Sequence, residues 1–326
     1  MQLSEDLLRT FGMGRVFKNY QARVNSVDFH RSEDLLVTAG DDDAIRLYNT
    51  QSGLEIKHVL SKKHGVCNIC YTHAPQAVIH ASNKGLDHTL RYLSLHDNRY
   101  LRYFKGHTQQ VTTLCLSPKN DLFMSAAQDR QVRLWDLRTN ICQGLLTVPG
   151  QQPCAAFDQQ GLVFGVGTDK GVLKLFDVRS YAQGPFDAFT VAPELQTHAA
   201  FSHIQFSADG KLMLCVAEGH VYQLDAYNGN LQQTYSTGVL QGALELGAVF
   251  SPDSNYILSG CADKSISIWS TRTGQKVHML TGHAGVPTTL QWHPRRMLVA
   301  SACNALAFWT PDPKKLAPPS YSYPMQ

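Results

Sequence analysis

The chain has 326 residues, 43% hydrophobic and 17% charged, which is ample material for a buried core and unlike the composition of a disordered chain. Its net charge is +3 with no long run of one sign, so direct nucleic-acid binding through a basic face is disfavoured. Eight scattered cysteines form no disulfide framework and fit a reducing compartment. In chain order, the residues from Met1 to Asp6 lack the basic-then-apolar pattern of a secretory signal. Leu3, Leu7, Leu8 and Phe11 have a helical spacing, with Ser4 as a cap residue, and predict one short helix. Arg15–Tyr20 then reads as a lone strand. No later stretch approaches eighteen consecutive apolar residues, so no membrane-spanning helix is predicted.

From Val24 onward the chain repeats itself. The clearest unit places Val111–Leu116 before Leu122–Ala127, Asp129 and Val132–Asp136. The unit that begins at Val24 reaches Asp42 and Tyr48, and the one that begins at Leu246 reaches Asp263 and Trp269. The position of Trp135 recurs as Tyr48, Leu93, Phe176, Leu224, Trp269 and Trp309, spaced 40–48 residues apart. Seven such units of short apolar strands, separated by turn residues such as Pro118 and Asp209-Gly210, predict an all-β, seven-bladed WD-repeat β-propeller. Consecutive apolar residues, as at Leu35–Val37 and Tyr256–Leu258, suit sheets covered on both faces. After Trp309 the chain has no room for the last unit's outer strand. Arg15–Tyr20 is therefore assigned to the seventh blade, giving a single domain over residues 1–311. The Pro- and Lys-containing tail, 312–326, reads as disordered.

Polar constellations follow the repeat. His107, Ser125, Asp129 and Trp135 are read as a structural chain that satisfies the indole and fixes a turn. A His, Ser and Asp together suggest a hydrolase, but Ser259 and Asp263 recur beside Trp269, and His283 and Ser301 precede Trp309. A recurring arrangement is not a single catalytic centre, so no enzyme activity is predicted. Cys67 and Cys70, with His73 nearby, have the spacing of half a zinc site. On a regular strand residues three apart point to opposite faces, so neither metal nor cofactor is expected. Gly165–Gly171 resembles a phosphate loop only loosely and precedes no helix.

Two surfaces are candidates for partners. Asp41, Asp42, Asp43, Lys62, Lys63, Lys105, Gln128 and Arg130 are predicted on one rim, called the top, where acidic or phosphorylated residues would meet the lysines and basic ones the aspartates. Arg138 and Arg179 follow Trp135-Asp136 and Phe176-Asp177 on the opposite face. This Trp-Asp-x-Arg pattern is similar to the adaptor-binding signal of substrate receptors of cullin-RING ubiquitin ligases, an alternative reading.

The segments Ser61–Val66, Thr89–Phe104 and Ser301–Pro311 go beyond a generic repeat. They resemble the WD-repeat subunit of the COMPASS histone lysine methyltransferase, which is shared with RNA-polymerase-associated protein phosphatase 1 and termination complexes. The resemblance spans Leu3 to Pro311, and replacement of Trp-Asp by Leu93-Ser94 is its most specific mark. It implies a nuclear, non-enzymatic adaptor, monomeric by itself. Its partners would be methyltransferase or phosphatase and termination subunits and the phosphorylated polymerase tail, with no membrane and no cofactor.

Overall fold

The computed structural model describes residues 2–150, 152–168, 171–191, 201–238 and 246–316. These form seven four-stranded antiparallel sheets, and the expected propeller is the observed fold. Six blades are contiguous in sequence: residues 24–60, 67–104, 111–147, 154–190, 203–236 and 248–280. The seventh combines Thr289–Trp292, Val299–Ala302 and Leu306–Pro311 with an N-terminal strand, Phe11–Phe17. No helix among the described residues is long and apolar enough to cross a membrane.

Burial explains the apolar pattern. The second strands, such as Leu35–Gly40 and Tyr256–Gly260, are almost wholly buried because neighbouring blades cover both faces. Outer strands such as Leu54–Leu60 alternate, with every second residue exposed. Five contiguous blades share an irregularity between their third and fourth strands, just before Tyr48, Leu93, Trp135, Leu224 and Trp269. Such bulges increase twist locally. The seventh blade places its bulge between Met13 and Arg15 of the N-terminal strand. A Cβ on the intervening Gly14 would sit 2.8 Å from the Thr310 hydroxyl, so glycine permits this approach.

The closure strand lies earlier than Arg15–Tyr20. Pairing runs from Phe11 opposite Pro311 to Phe17 opposite Leu306, and Lys18–Tyr20 turn away to blade one. Tyr20 leaves because its hydroxyl is drawn to Thr38 and Tyr48, at 2.9 and 2.8 Å. The helix α1 (Glu5–Arg9) is correspondingly shorter than Leu3–Phe11, with the Ser4 hydroxyl accepting from the Leu7 N–H at 3.2 Å. Leu3 donates its N–H to Asp253 in blade six, at 2.9 Å. Leu3, Leu8 and Phe11 enter the core between blades six and seven, with Trp292 and Trp309. The expected tail also shortens: Pro313–Leu316 form one helical turn, α2, because Asp312 accepts from the Lys314 N–H and proline occupies its first position. Residues 317–326 lie outside the described residues.

The innermost strands of adjacent blades do not share a sheet; channel-facing side chains link them instead. Ser26 exchanges hydrogen bonds with Ile69, Asp28 accepts from the Tyr71 N–H, and Asn68 donates to the Val111 carbonyl. Thr112 donates to the Pro153 carbonyl, and Gln205 accepts from the Phe250 N–H. These pairs lie 41–45 residues apart, one blade period, and join four of the blade junctions around a channel of about 840 Å³.

Candidate partner-binding faces

In blade three, the Trp135 indole N–H donates to Ser125 Oγ at 2.9 Å, and Ser125 Oγ lies 2.7 Å from His107 Nε2. His107 Nδ1 lies 2.9 Å from Asp129 Oδ2, which also accepts from the Thr108 N–H. Burial pushes the imidazole pKa down despite Asp129, so a neutral ring completes the chain: Ser125 donates to Nε2 and Nδ1–H donates to the carboxylate. Every member is satisfied inside the fold.

The other blades vary this theme in proportion to their polar tips. In blade seven, Trp309 donates to Ser301, which lies 2.6 Å from His283 Nε2, but Cys303 Sγ takes the aspartate's place at 3.3 Å from Nδ1. Burial opposes ionisation of that thiol, yet the imidazole hydrogen bond brings it down to about 7. Blade six does not form the chain that Ser259, Asp263 and Trp269 suggest. It has no histidine in register, and Ser259 donates to the Gly247 and Gly260 carbonyls instead. In blade two, Leu93 has no polar tip, and the position facing Arg91 holds His80, whose pKa burial pushes down to about 4.

Cys67 and Cys70 do not lie on a regular strand. A bulge at Asn68, with φ +47°, brings both cysteines into one cluster between blades two and three. Burial pushes the Cys67 thiol up to about 12 and Cys70 well above its usual value, disfavouring the thiolates a metal needs. His73 turns to the Asn120 carbonyl, at 3.0 Å. Among the described residues, no three His, Cys, Asp or Glu side chains are grouped to hold a metal. The Gly165–Gly171 segment joins two strands, and its residues 169–170 lie outside the described residues.

On the top rim, the three aspartates are engaged by the protein itself. Asp42 pairs with Arg46 at 2.7 Å, both side chains only 4% exposed, and the Arg46 guanidinium lies 4.2 Å from the Tyr20 ring centroid. Asp43 is held by Lys84, and the exposed Asp41 by Arg23 at 3.4 Å and Asn25 at 2.8 Å. Asp42 is thus engaged within the turn, by Arg46 and by the Ala44 N–H. Lys62, Lys63, Lys105 and Arg130 are exposed and have no acidic partner among the described residues. Gln128 is half-buried and, with Thr108, Gln109, Arg130 and Gln152, lines a polar cleft. Among these eight residues, the charges without an internal partner are the cations Lys62, Lys63, Lys105 and Arg130, while Asp41 remains exposed beside Arg23.

The opposite face shows why aspartate follows the aromatic residue. Asp136 and Asp177 accept from the Arg138 and Arg179 backbone N–H groups at 2.8 and 2.7 Å, closing the turn into the outer strand. Arg138 also folds its guanidinium back onto Asp136, at 2.9 and 2.6 Å. Arg179 is exposed and has no acidic partner among the described residues. The two arginines, matched in sequence, are both exposed and differ in pairing: Arg138 has Asp136, and Arg179 has no acid among the described residues.

A family model described as "WD domain, G-beta repeat" matches residues 13–49, 98–136, 236–270 and 274–316. The chain is 43% identical to Protein ANTHESIS POMOTING FACTOR 1 of Arabidopsis thaliana, over 95% of this chain and 94% of that protein. It is 41% identical to WD repeat-containing protein 82 of Drosophila melanogaster, over 95% and 98%. COMPASS component SWD2 of Saccharomyces cerevisiae is 30% identical over 89% and 91%. The ring, its N-terminal closure and this similarity along nearly the whole length agree: the chain belongs to the family of WD-repeat proteins that includes WD repeat-containing protein 82 and the COMPASS component SWD2.

Proposed function

We propose that this protein is a nuclear, non-enzymatic scaffold of a Set1/COMPASS-type histone lysine methyltransferase complex and binds a larger subunit through its top rim. Similarity to COMPASS component SWD2 of Saccharomyces cerevisiae, over 89% of the chain, supports the assembly. The placement rests on the available charge: Lys62, Lys63, Lys105 and Arg130 project without an acidic partner among the described residues, while Asp42 and Asp43 are held by Arg46 and Lys84 and the exposed Asp41 pairs with Arg23. Acidic or phosphorylated residues of an extended partner segment suit the arc of this rim that carries Lys62, Lys63, Lys105 and Arg130, while the exposed Glu218 and Asp263 lie on the turns of blades five and six. The same surface would serve a protein phosphatase 1 or termination complex and the phosphorylated polymerase tail. A cullin-RING receptor role has weaker support, because the exposed Arg138 guanidinium is already paired with Asp136 and only Arg179 of the two lacks an acidic partner among the described residues.

Replacing Lys62 and Lys63 together by Glu tests the placement against the methyltransferase subunit. Binding is expected to weaken by about 1–3 kcal/mol, mainly through the association rate and more strongly at low salt. The melting temperature should be unchanged, since both side chains are exposed. Intact affinity in the folded variant would reject the top rim and favour the face carrying Arg179.

A further inference from the structure

The top turns between second and third strands are short in blades one and three, where they hold Asp41–Asp43 and Gln128–Arg130. In blade two the same connection runs from Ser82 to Thr89. The extra length forms a finger, with Gly85 at φ +65° and nothing within 4 Å of a Cβ built there. Next to it stands Leu86, 97% exposed.

The base of this finger is fixed on several sides. The Asn83 and Lys84 N–H groups donate to the His64 carbonyl at 3.3 and 3.2 Å. Lys84 reaches Asp43 in blade one and the Lys62 carbonyl. Asp87 accepts from Arg91 at 2.6 Å and lies 3.1 Å from His64 Nδ1. The 4%-exposed Arg91 side chain is itself held over the Tyr100 and Tyr103 rings, at 5.7 and 5.8 Å. Burial raises the Asp87 pKa, but hydrogen bonds from Thr89 and Arg91 outweigh it and keep the carboxyl well below the usual range. A loop anchored this way presents its tip with little ordering cost left for binding.

The charges around the tip select the occupant. The nearby carboxylates Asp41, Asp43 and Asp87 are compensated by Arg23, Lys84 and Arg91. Lys62 and Lys63, in the loop to which the finger is bonded, are left without an acid. We propose that residues 83–88 are a recognition finger for an acidic peptide segment whose carboxylates meet Lys62 and Lys63 while one of its apolar side chains covers Leu86. This rests on the top-rim reading and adds an apolar anchor to it. Charge steers the encounter, and the leucine contact fixes the register of the bound segment.

The test uses the full chain and two fluorescein-labelled synthetic peptides of about twelve residues, a length set by the span of an extended segment. Both are Glu-rich; one carries a central Leu and the other Ser in its place. By fluorescence anisotropy at low salt, the Leu peptide should bind about 5- to 10-fold more tightly, as expected for a partly buried leucine side chain. Leu86→Ser should weaken the Leu peptide by the same factor and abolish the discrimination, the signature of a direct contact. The unchanged melting temperature expected of a loop-tip substitution keeps this separate from unfolding. If Leu86→Ser retains the discrimination, or if the wild type shows none, the finger proposal is overturned while a salt-dependent loss with Lys62→Glu/Lys63→Glu upholds the rim. If neither peptide binds in a salt-dependent way, the rim reading fails, and the finger with it.

Discussion

A buried tyrosine or tryptophan brings a polar tip that must be satisfied, and the blades solve this with different residues. Trp135 uses Ser125, Trp309 uses Ser301, and Tyr48 uses Tyr20 beside the Arg46–Asp42 pair. Ser125→Ala would leave the Trp135 N–H and His107 without their shared partner. A loss of about 1–3 kcal/mol is expected by denaturant titration, the cost of an unsatisfied buried group. Asp42→Ala strands the Arg46 charge and should cost about 3–5 kcal/mol by the same measurement. If Asp42 served a partner instead, its loss would lower affinity and leave stability intact. Asp28 behaves differently. Burial pushes its pKa up to about 7, although the Tyr71 and Phe29 N–H groups pull it down. Folding therefore disfavours its ionised form, and the resulting stability is present below an unfolded value of about 4 and is lost as pH rises toward 7. Asp28→Asn should melt higher than the wild type at pH 8, with the difference vanishing below about pH 4; a constant difference across that range would contradict this. Much of the tetrad in blade three was legible, because His107, Ser125, Asp129 and Trp135 all carry its chemistry. The role of Cys303 was not, since nothing in the sequence distinguishes a thiol that replaces a turn aspartate from one that fills a core. Asp41–Asp43 read as a partner site because a run of acids says nothing of the cations that fold onto it.

At the level of elements, the N-terminal segment does two jobs in sequence. Its helix seals the junction of blades six and seven, and its strand completes the seventh sheet. The boundary between them was misplaced in the sequence because Phe11 satisfies both periodicities: it continues the helical stripe of Leu3, Leu7 and Leu8, and it begins a strand. Tertiary packing goes with the strand, where Phe11 reaches Trp292 at 5.7 Å and pairs opposite Pro311. Removing residues 1–17 should expose the Leu306–Pro311 edge and the pocket of Leu8, so the truncated protein is expected to elute as aggregate in size-exclusion chromatography. A stable monomer would refute the closure. Leu8→Ala, at a position with no exposure, should cost about 2–5 kcal/mol without changing the fold. The bulge at Asn68 escaped sequence reading for a related reason. Asparagine tolerates positive φ, but its presence in a strand does not announce one.

For the whole molecule, the 40–48-residue spacing made the ring visible from the sequence, because each unit can bury its apolar faces only against its neighbours. The faces of that ring were less visible, since the availability of a charge depends on partners distant in sequence, as Asp43 and Lys84 show. Among the described residues, the exposed charge without an internal partner includes Lys62, Lys63, Lys105 and Arg130 on the top rim and Arg179 below, where the equally exposed Arg138 is paired with Asp136. The most direct test of the scaffold assignment is affinity purification of the tagged chain with quantitative mass spectrometry, comparing the wild type, Lys62→Glu/Lys63→Glu and Arg138→Ala/Arg179→Ala. The account predicts a Set1-type methyltransferase with the wild type, its depletion by the top-rim variant and its retention by the arginine variant. Recovery of cullin-RING ligase subunits in place of the methyltransferase, lost with the arginine variant and unaffected by the lysine variant, would contradict it.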